Sequence, residues 1–151
     1  MAKAIFEHAL AMKVSADSMR SALTHYEFFL EHAFHRNLVK VQFLGERAGS
    51  DGITRRHYRN SERVQLGPLP ITVSNNATNY IDAQGAVVGE AFQSPGIHVM
   101  VISRCTPQPD GKTLVSEQVI IEAPRLLMPT VYAQAVAAHK EKLAKLKSVL
   151  E

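Results

Sequence analysis

The sequence predicts an α+β domain in which one antiparallel sheet is closed by a long C-terminal helix. Three observations carry this prediction. Lys112 to Glu122 (KTLVSEQVIIE) alternates as a strand, Pro124 breaks it, and Pro129 to Leu150 continues as one amphipathic helix. Upstream, from Asn37 to Thr106, apolar and polar residues alternate in segments joined by short turn clusters, the mark of a meander. A strand-like stretch followed by a helical one precedes them.

The elements follow in order. Phe6, His8, Leu10, Met12 and Val14 alternate with Glu7, Ala9, Ala11 and Lys13, which defines the first strand. Ser15 and Asp17 offer N-cap oxygens for a helical stretch from about Ser18 to Phe34, as one bent helix or two short ones. Val39, Val41 and Phe43 alternate up to Glu46. The turn cluster Ala48-Gly49-Ser50-Asp51-Gly52 leads into a returning strand, Ile53 to Val64. Leu66-Gly67-Pro68-Leu69-Pro70 reads as a rigid loop, because proline cannot donate to a central ladder. Ile71 to Asp82, Ala86 to Gln93 and Ile97 to Thr106 are further strands, separated by Ala83-Gln84-Gly85 and Ser94-Pro95-Gly96. Pro107 to Gly111 is the tip before the last strand. On the terminal helix Tyr132, Val136, His139, Leu143, Leu146 and Leu150 form one stripe, so one face rests on a core.

A chain of 151 residues fits one domain, 1–151, whose core needs neither disulfide nor metal. Net charge is only +3, too mild for a nucleic-acid partner, which calls for a clustered basic face. Cys105 is the single cysteine, so no intrachain disulfide forms and a reducing cytoplasm is the natural location. MAKAIFEHALAMKV lacks the apolar run of a signal peptide, and no segment has the ~18 consecutive apolar residues of a membrane span. Stable membrane insertion is therefore not expected. GxSxG, Walker and GxGxxG motifs are absent, which argues against the hydrolase, NTPase and dinucleotide-binding classes. No cofactor is implied, and oligomeric state is not encoded legibly.

This element order resembles that of the helix-grip proteins, the START/Bet v 1-like (SRPBCC) superfamily that includes lipid-transfer domains, plant hormone receptors and polyketide cyclases. Gly52-Ile53-Thr54-Arg55 resembles the glycine-x-x-arginine start of the third strand in the receptor and allergen branches. Thr113-Leu114-Val115-Ser116-Glu117 through Pro124 resembles their last strand and its exit proline. The resemblance implies a curved seven-stranded antiparallel sheet gripping the C-terminal helix, with one or two short helices after the first strand. Between sheet and helix lies a cavity for a hydrophobic or amphipathic small molecule. Leu66 to Pro70 stands where the receptors carry a gating loop but does not reproduce its sequence.

The candidate ligand-binding residues are His8, Arg55, His57, Glu117, Tyr132, Val136 and His139. His8 shares the apolar face of its strand with Leu10 and Met12, so it either orients a ligand or sits half-exposed at a strand end. Arg55, His57 and Arg59 alternate onto one side of the sheet. By the resemblance they face the cavity, where three cations need compensation, either from Glu117 or from a carboxylate or polarised carbonyl on a ligand. The opposite register instead turns Thr54, Arg56, Tyr58 and Asn60 inward. Tyr132 and His139 lie on the helix stripe, as core residues or as ligand contacts. His8, His57, Glu117 and His139, if brought together, would supply acid and base groups at neutral pH. No catalytic residue is assigned. His25, His32 and His35 lack an established metal-ligand spacing, so no metal site is expected. Lys140, Lys142, Lys145 and Lys147 read as a solvated face near the helix C-terminus, with membrane docking as the alternative. Two functions remain in view: a carrier or sensor that encloses its ligand, and a polyketide cyclase- or dehydratase-like enzyme acting on an enclosed ketone.

Overall fold

The computed structural model describes residues 1–25, 38–66 and 68–151. Among them, seven strands form one antiparallel sheet: β1 (Ala2–Met12), β2 (Leu38–Ala48), β3 (Thr54–Leu66), β4 (Leu69–Ile81), β5 (Val87–Gln93), β6 (Ile97–Pro107) and β7 (Thr113–Ala123). Their order across the sheet is β1-β7-β6-β5-β4-β3-β2. Strands β2 to β7 are a plain meander, and β1 crosses to pair with β7 from Ala2↔Ala123 to Met12↔Thr113. The described helices are α1 (Ala16–Thr24) and α2 (Met128–Leu150). This is the helix-grip α+β architecture that the element order predicts.

Local chemistry explains each boundary. Ser15 caps α1, its hydroxyl accepting from the Ser18 N–H at 3.1 Å. The expected continuation of that helix to Phe34, together with His32 and His35, falls outside the described residues. Gly52 adopts φ +79°, the left-handed conformation that the β2–β3 turn requires and that glycine meets without strain. The expected loop at Leu66 to Pro70 is corrected: β3 runs to Leu66, β4 begins at Leu69, and Pro70 stands in the strand opposite Gln65. Proline is accommodated because β5 joins β4 only from Asn76 onward, so the start of β4 pairs on one side alone.

The inward face of the sheet carries the even residues of β1 and β3 and the odd residues of β4 to β7. One apolar cluster joins Met12, Met19, Leu23, Val115, Leu143 and Leu146, tying α1 and the end of α2 to the sheet. A second joins Phe6, Val119 and Ile121 to Tyr132 and Val136 of α2. Cys105 is buried, and desolvation pushes its thiol up to about 11, which suppresses the thiolate.

Tyr58 is fully buried on β3 against Val41 and Ala77, and its hydroxyl donates to the Thr24 carbonyl at 3.2 Å. It thus satisfies an orphan carbonyl at the end of α1 and ties that helix to the distant half of the sheet. Tyr58→Phe is expected to cost about 1 kcal/mol, read as a fall of about 2–4 °C in the thermal midpoint. An unchanged midpoint would show that the bond carries no net stability.

Candidate functional site

Three strands and α2 bring a set of polar side chains together inside the domain. His8 on β1, Glu117 on β7 and Ser103 on β6 are direct cross-strand neighbours, forming a row across the sheet. Glu117 is 1% exposed. Its Oε1 accepts from His8 Nε2 at 2.9 Å, and its Oε2 accepts from the Ser103 hydroxyl at 2.8 Å and from Lys142 Nζ at 2.9 Å. The first of these bonds places a proton on Nε2 of His8. His139 Nδ1 lies 4.0 Å from Glu117 Oε1 and 3.5 Å from Lys142 Nζ. Lys142 itself is only 6% exposed. A buried carboxylate persists only with such compensation, and here it has one cation and two further donors.

Burial raises the Glu117 carboxyl, but the charge of Lys142, the hydrogen bond from His8 and the charge at His139 outweigh it. Together they hold the group well below the usual carboxylate range. The sign of its pH effect follows. A depressed folded pKa contributes stability that is present above the unfolded value of about 4.3 and is lost as pH falls through the folded value. Between about pH 5 and pH 3 the native chain should therefore lose stability faster than Glu117→Gln in urea titrations. Parallel curves would contradict this.

Beside the cluster a cavity of ≈ 190 Å³ opens between α2 and the sheet. His139 and Lys142 border it, so the charged cluster meets the cavity through α2, while Glu117 and His8 stand behind them. Ile97, Val99 and Val101 of β6 and Val131, Ala135 and Ala138 of α2 supply apolar lining. Asn60 of β3 and Asn75 and Asn79 of β4 supply amides. No group of side chains among the described residues is arranged to hold a metal ion.

The expected facing of β3 is corrected. The opposite register holds, with Tyr58 and Asn60 buried and Arg59 exposed. Arg55 lies on the outer face, where it bonds Asp51 at 2.8 Å and stacks over the Tyr80 ring at 4.4 Å. That hydrogen bond holds the Asp51 carboxyl down at about 2. Arg55 therefore does not meet Glu117; Lys142 takes that place. His57 shares the outer face and does not reach the cavity. The arginine turned inward is Arg56, whose charge is answered by Glu46, by the Tyr58 hydroxyl at 3.0 Å and by the Phe43 ring at 4.3 Å.

Tyr132 and Val136 are also placed differently from the expected cavity stripe. Both pack into the cluster around Phe6, with Tyr132 edge-on to the Phe6 ring at 5.9 Å. The cavity lies one residue around the helix, against Val131, Ala135 and Ala138, where small side chains leave space. Sequence reasoning missed Lys142, Ser103 and the three asparagines. For Lys142 the signal was its spacing: three residues after His139 and next to Leu143, it belongs beside the stripe rather than among the solvated lysines. For Asn75 and Asn79 it was alternation with Ile71, Val73 and Ala77 on one face.

No family model and no curated protein sequence matches the chain. Solved structures do. A protein of Thermus thermophilus superposes with TM-score 0.72 at 13% identity, covering 96% of this chain and 95% of that one. A START superfamily protein from Mycobacterium smegmatis gives 0.71 at 13% identity over 97% and 99%. The ZhuI aromatase/cyclase of Streptomyces sp. R1128 gives 0.70 at 13% identity over 99% and 97%. The fold is that of the START/Bet v 1-like helix-grip proteins. No helix among the described residues is long and apolar enough to cross a membrane.

Proposed function

We propose that this chain encloses a hydrophobic or amphipathic small molecule between its sheet and α2, as a carrier or sensor in the cytoplasm. The observation that supports this is the cavity: ≈ 190 Å³, with apolar lining from β6 and from Val131, Ala135 and Ala138 of α2, and a Lys142–His139 corner. Removing apolar ligand surface from water supplies the affinity. At about 25 cal/mol per Å², some 300 Å² of ligand contributes about 7 kcal/mol before ordering costs. His139 and Lys142, held by Glu117 and His8, orient a ligand carbonyl or acid at the corner. Arg55 and His57, on the outer face, have no part in this.

Native mass spectrometry of the protein as purified from cells, followed by denaturing extraction, tests the reading. A bound lipophile of defined mass supports it. A clean apo mass together with no uptake of an environment-sensitive dye would overturn it.

A second reading is favoured by one observation. His139 and Lys142 border the cavity 3.5 Å apart, backed by the Glu117 carboxylate, so a proton donor and acceptor stand at one ligand position. An enzyme of the cyclase or dehydratase type, polarising a ketone, would use that corner. Conversion of an enclosed polyketone by the native chain but not by Lys142→Met, assayed well below the variant's thermal midpoint where it is folded, would support it.

A further inference from the structure

The outer face of the sheet, away from the cavity, carries an aromatic platform. Phe92 of β5 is 52% exposed, and its ring stacks on His98 of β6 at 4.4 Å with the planes 7° apart. His98 is held in turn by Glu90, which accepts from its Nε2 at 3.1 Å. The ring spacing is close to the ~4.8 Å between neighbouring strands, so the stack runs across the sheet and the free face of Phe92 looks toward β4. There Asn76 stands opposite Phe92, and Arg59 of β3 stands opposite Asn76. Phe92 and Arg59 are therefore two strands, roughly 10 Å, apart, with a short amide between them. One planar ring fits that slot, about 3.5–4 Å from the phenyl ring on one side and from the guanidinium on the other. Pairing of β4 with β5 stops at Asn76–Phe92, and the parting strands open a groove of ≈ 620 Å³ lined by Arg59, Ser74, Asn76, Phe92 and His98.

Next to the slot the same face gathers charge of one sign. Ser61 and Ser74 stand opposite each other with hydroxyls 3.4 Å apart, and Lys40 of β2 stands opposite Ser61. Arg59 and Arg63 flank Ser61 on β3, two residues to either side and so on the same face. Lys40, Arg59 and Arg63 are exposed, and among the described residues none of them forms an ion pair or hydrogen bond. The acids of β2 to β4 are Glu46, opposite Arg56, and Glu62, and both belong to the inner face. A net charge of only +3 conceals this local excess. Three unanswered cations around two hydroxyls suit a multiply charged oxyanion. Ser74 lies two residues, ~7 Å, along β4 from Asn76, so the ring slot and the anion seat adjoin.

We infer that this outer face binds a nucleotide. The base stands between Phe92 and Arg59 with its edge on the Asn76 amide, and the phosphates lie over Ser61 and Ser74 among Lys40, Arg59 and Arg63. An uncharged aromatic ligand would leave the cations unanswered, and inorganic phosphate would leave the Phe92 face in water. The site is separate from the cavity and independent of the enclosure reading.

Calorimetric titration of the full chain with ADP, adenosine and pyrophosphate tests this. ADP should bind at least about 10-fold more tightly than either fragment. Phe92→Ala should weaken ADP about 10-fold and leave pyrophosphate within about twofold, whereas Arg59→Gln/Arg63→Gln should weaken both by about 10-fold or more. All three side chains are exposed, so these variants should fold as the native chain does. Where an environment-sensitive dye occupies the cavity, ADP should not displace it. ADP no tighter than adenosine or pyrophosphate, ADP binding untouched by the Phe92 and arginine changes, or displacement of the dye would each overturn the inference. So would an affinity for single-stranded RNA that climbs steeply with its length, which would make the ligand a polymer instead of a free nucleotide.

Discussion

Lys142→Met should destabilise the chain by about 3–5 kcal/mol, lowering the thermal midpoint by roughly 10 °C. The lysine is 6% exposed and donates to a carboxylate that is 1% exposed. Removing the ammonium leaves Glu117 buried with a hydroxyl and an imidazole but without its lysine cation. Glu117→Gln should be costly for the mirror-image reason, since Lys142, 6% exposed, then keeps its charge without the Glu117 carboxylate. The double change Glu117→Gln/Lys142→Met removes both charges together, so it should cost clearly less than the two singles added, with a coupling of about 1–3 kcal/mol. Arg55→Ala with Glu117→Ala should be additive, because Arg55 is engaged with Asp51 and Tyr80 on the other side of the sheet. Urea denaturation of these single and double variants measures every quantity involved. Additivity for Lys142 and Glu117 would mean that the pair does not act as a unit.

The same cluster shows where sequence reading succeeds and where it stops. Strand existence was legible because alternation is a local property, and β7 followed by Pro124 and α2 could be bounded to within a residue or two. The row His8–Glu117–Ser103 depends instead on which strands are neighbours and in what register. That is fixed by the crossing of β1 to β7, which no local pattern encodes. On β3 both faces carry arginines, so alternation alone left the facing open. The structure decides it by partners: Asp51 and Tyr80 hold Arg55 outside, while Glu46, Phe43 and the Tyr58 hydroxyl accommodate Arg56 inside. Lys142 was hidden by company, as one lysine among four near a helix end. Only the buried carboxylate opposite explains why this one turns inward.

Two adjacent positions on α2 put the cavity itself to the test. Both touch the cluster of Phe6, Val119 and Ile121, but Ala135 also lines the open space and Val136 does not. Ala135→Phe should place a ring in the cavity and reduce ligand or dye uptake by at least about 100-fold, near 2.7 kcal/mol. Its stability should stay near that of the native chain, because burial of the ring, about 1.5–3 kcal/mol, offsets the strain of fitting it. Val136→Phe adds bulk against the packed Phe6 cluster, outside the cavity. It should cost about 1–3 kcal/mol of stability and leave uptake within a few-fold of native. The opposite pattern follows if the cavity faces Tyr132 and Val136, so fluorescence titration and thermal melting of the two variants decide which helix face holds the ligand. Undiminished uptake by both variants would remove the cavity from the mechanism, since no ligand could share that space with a phenylalanine ring.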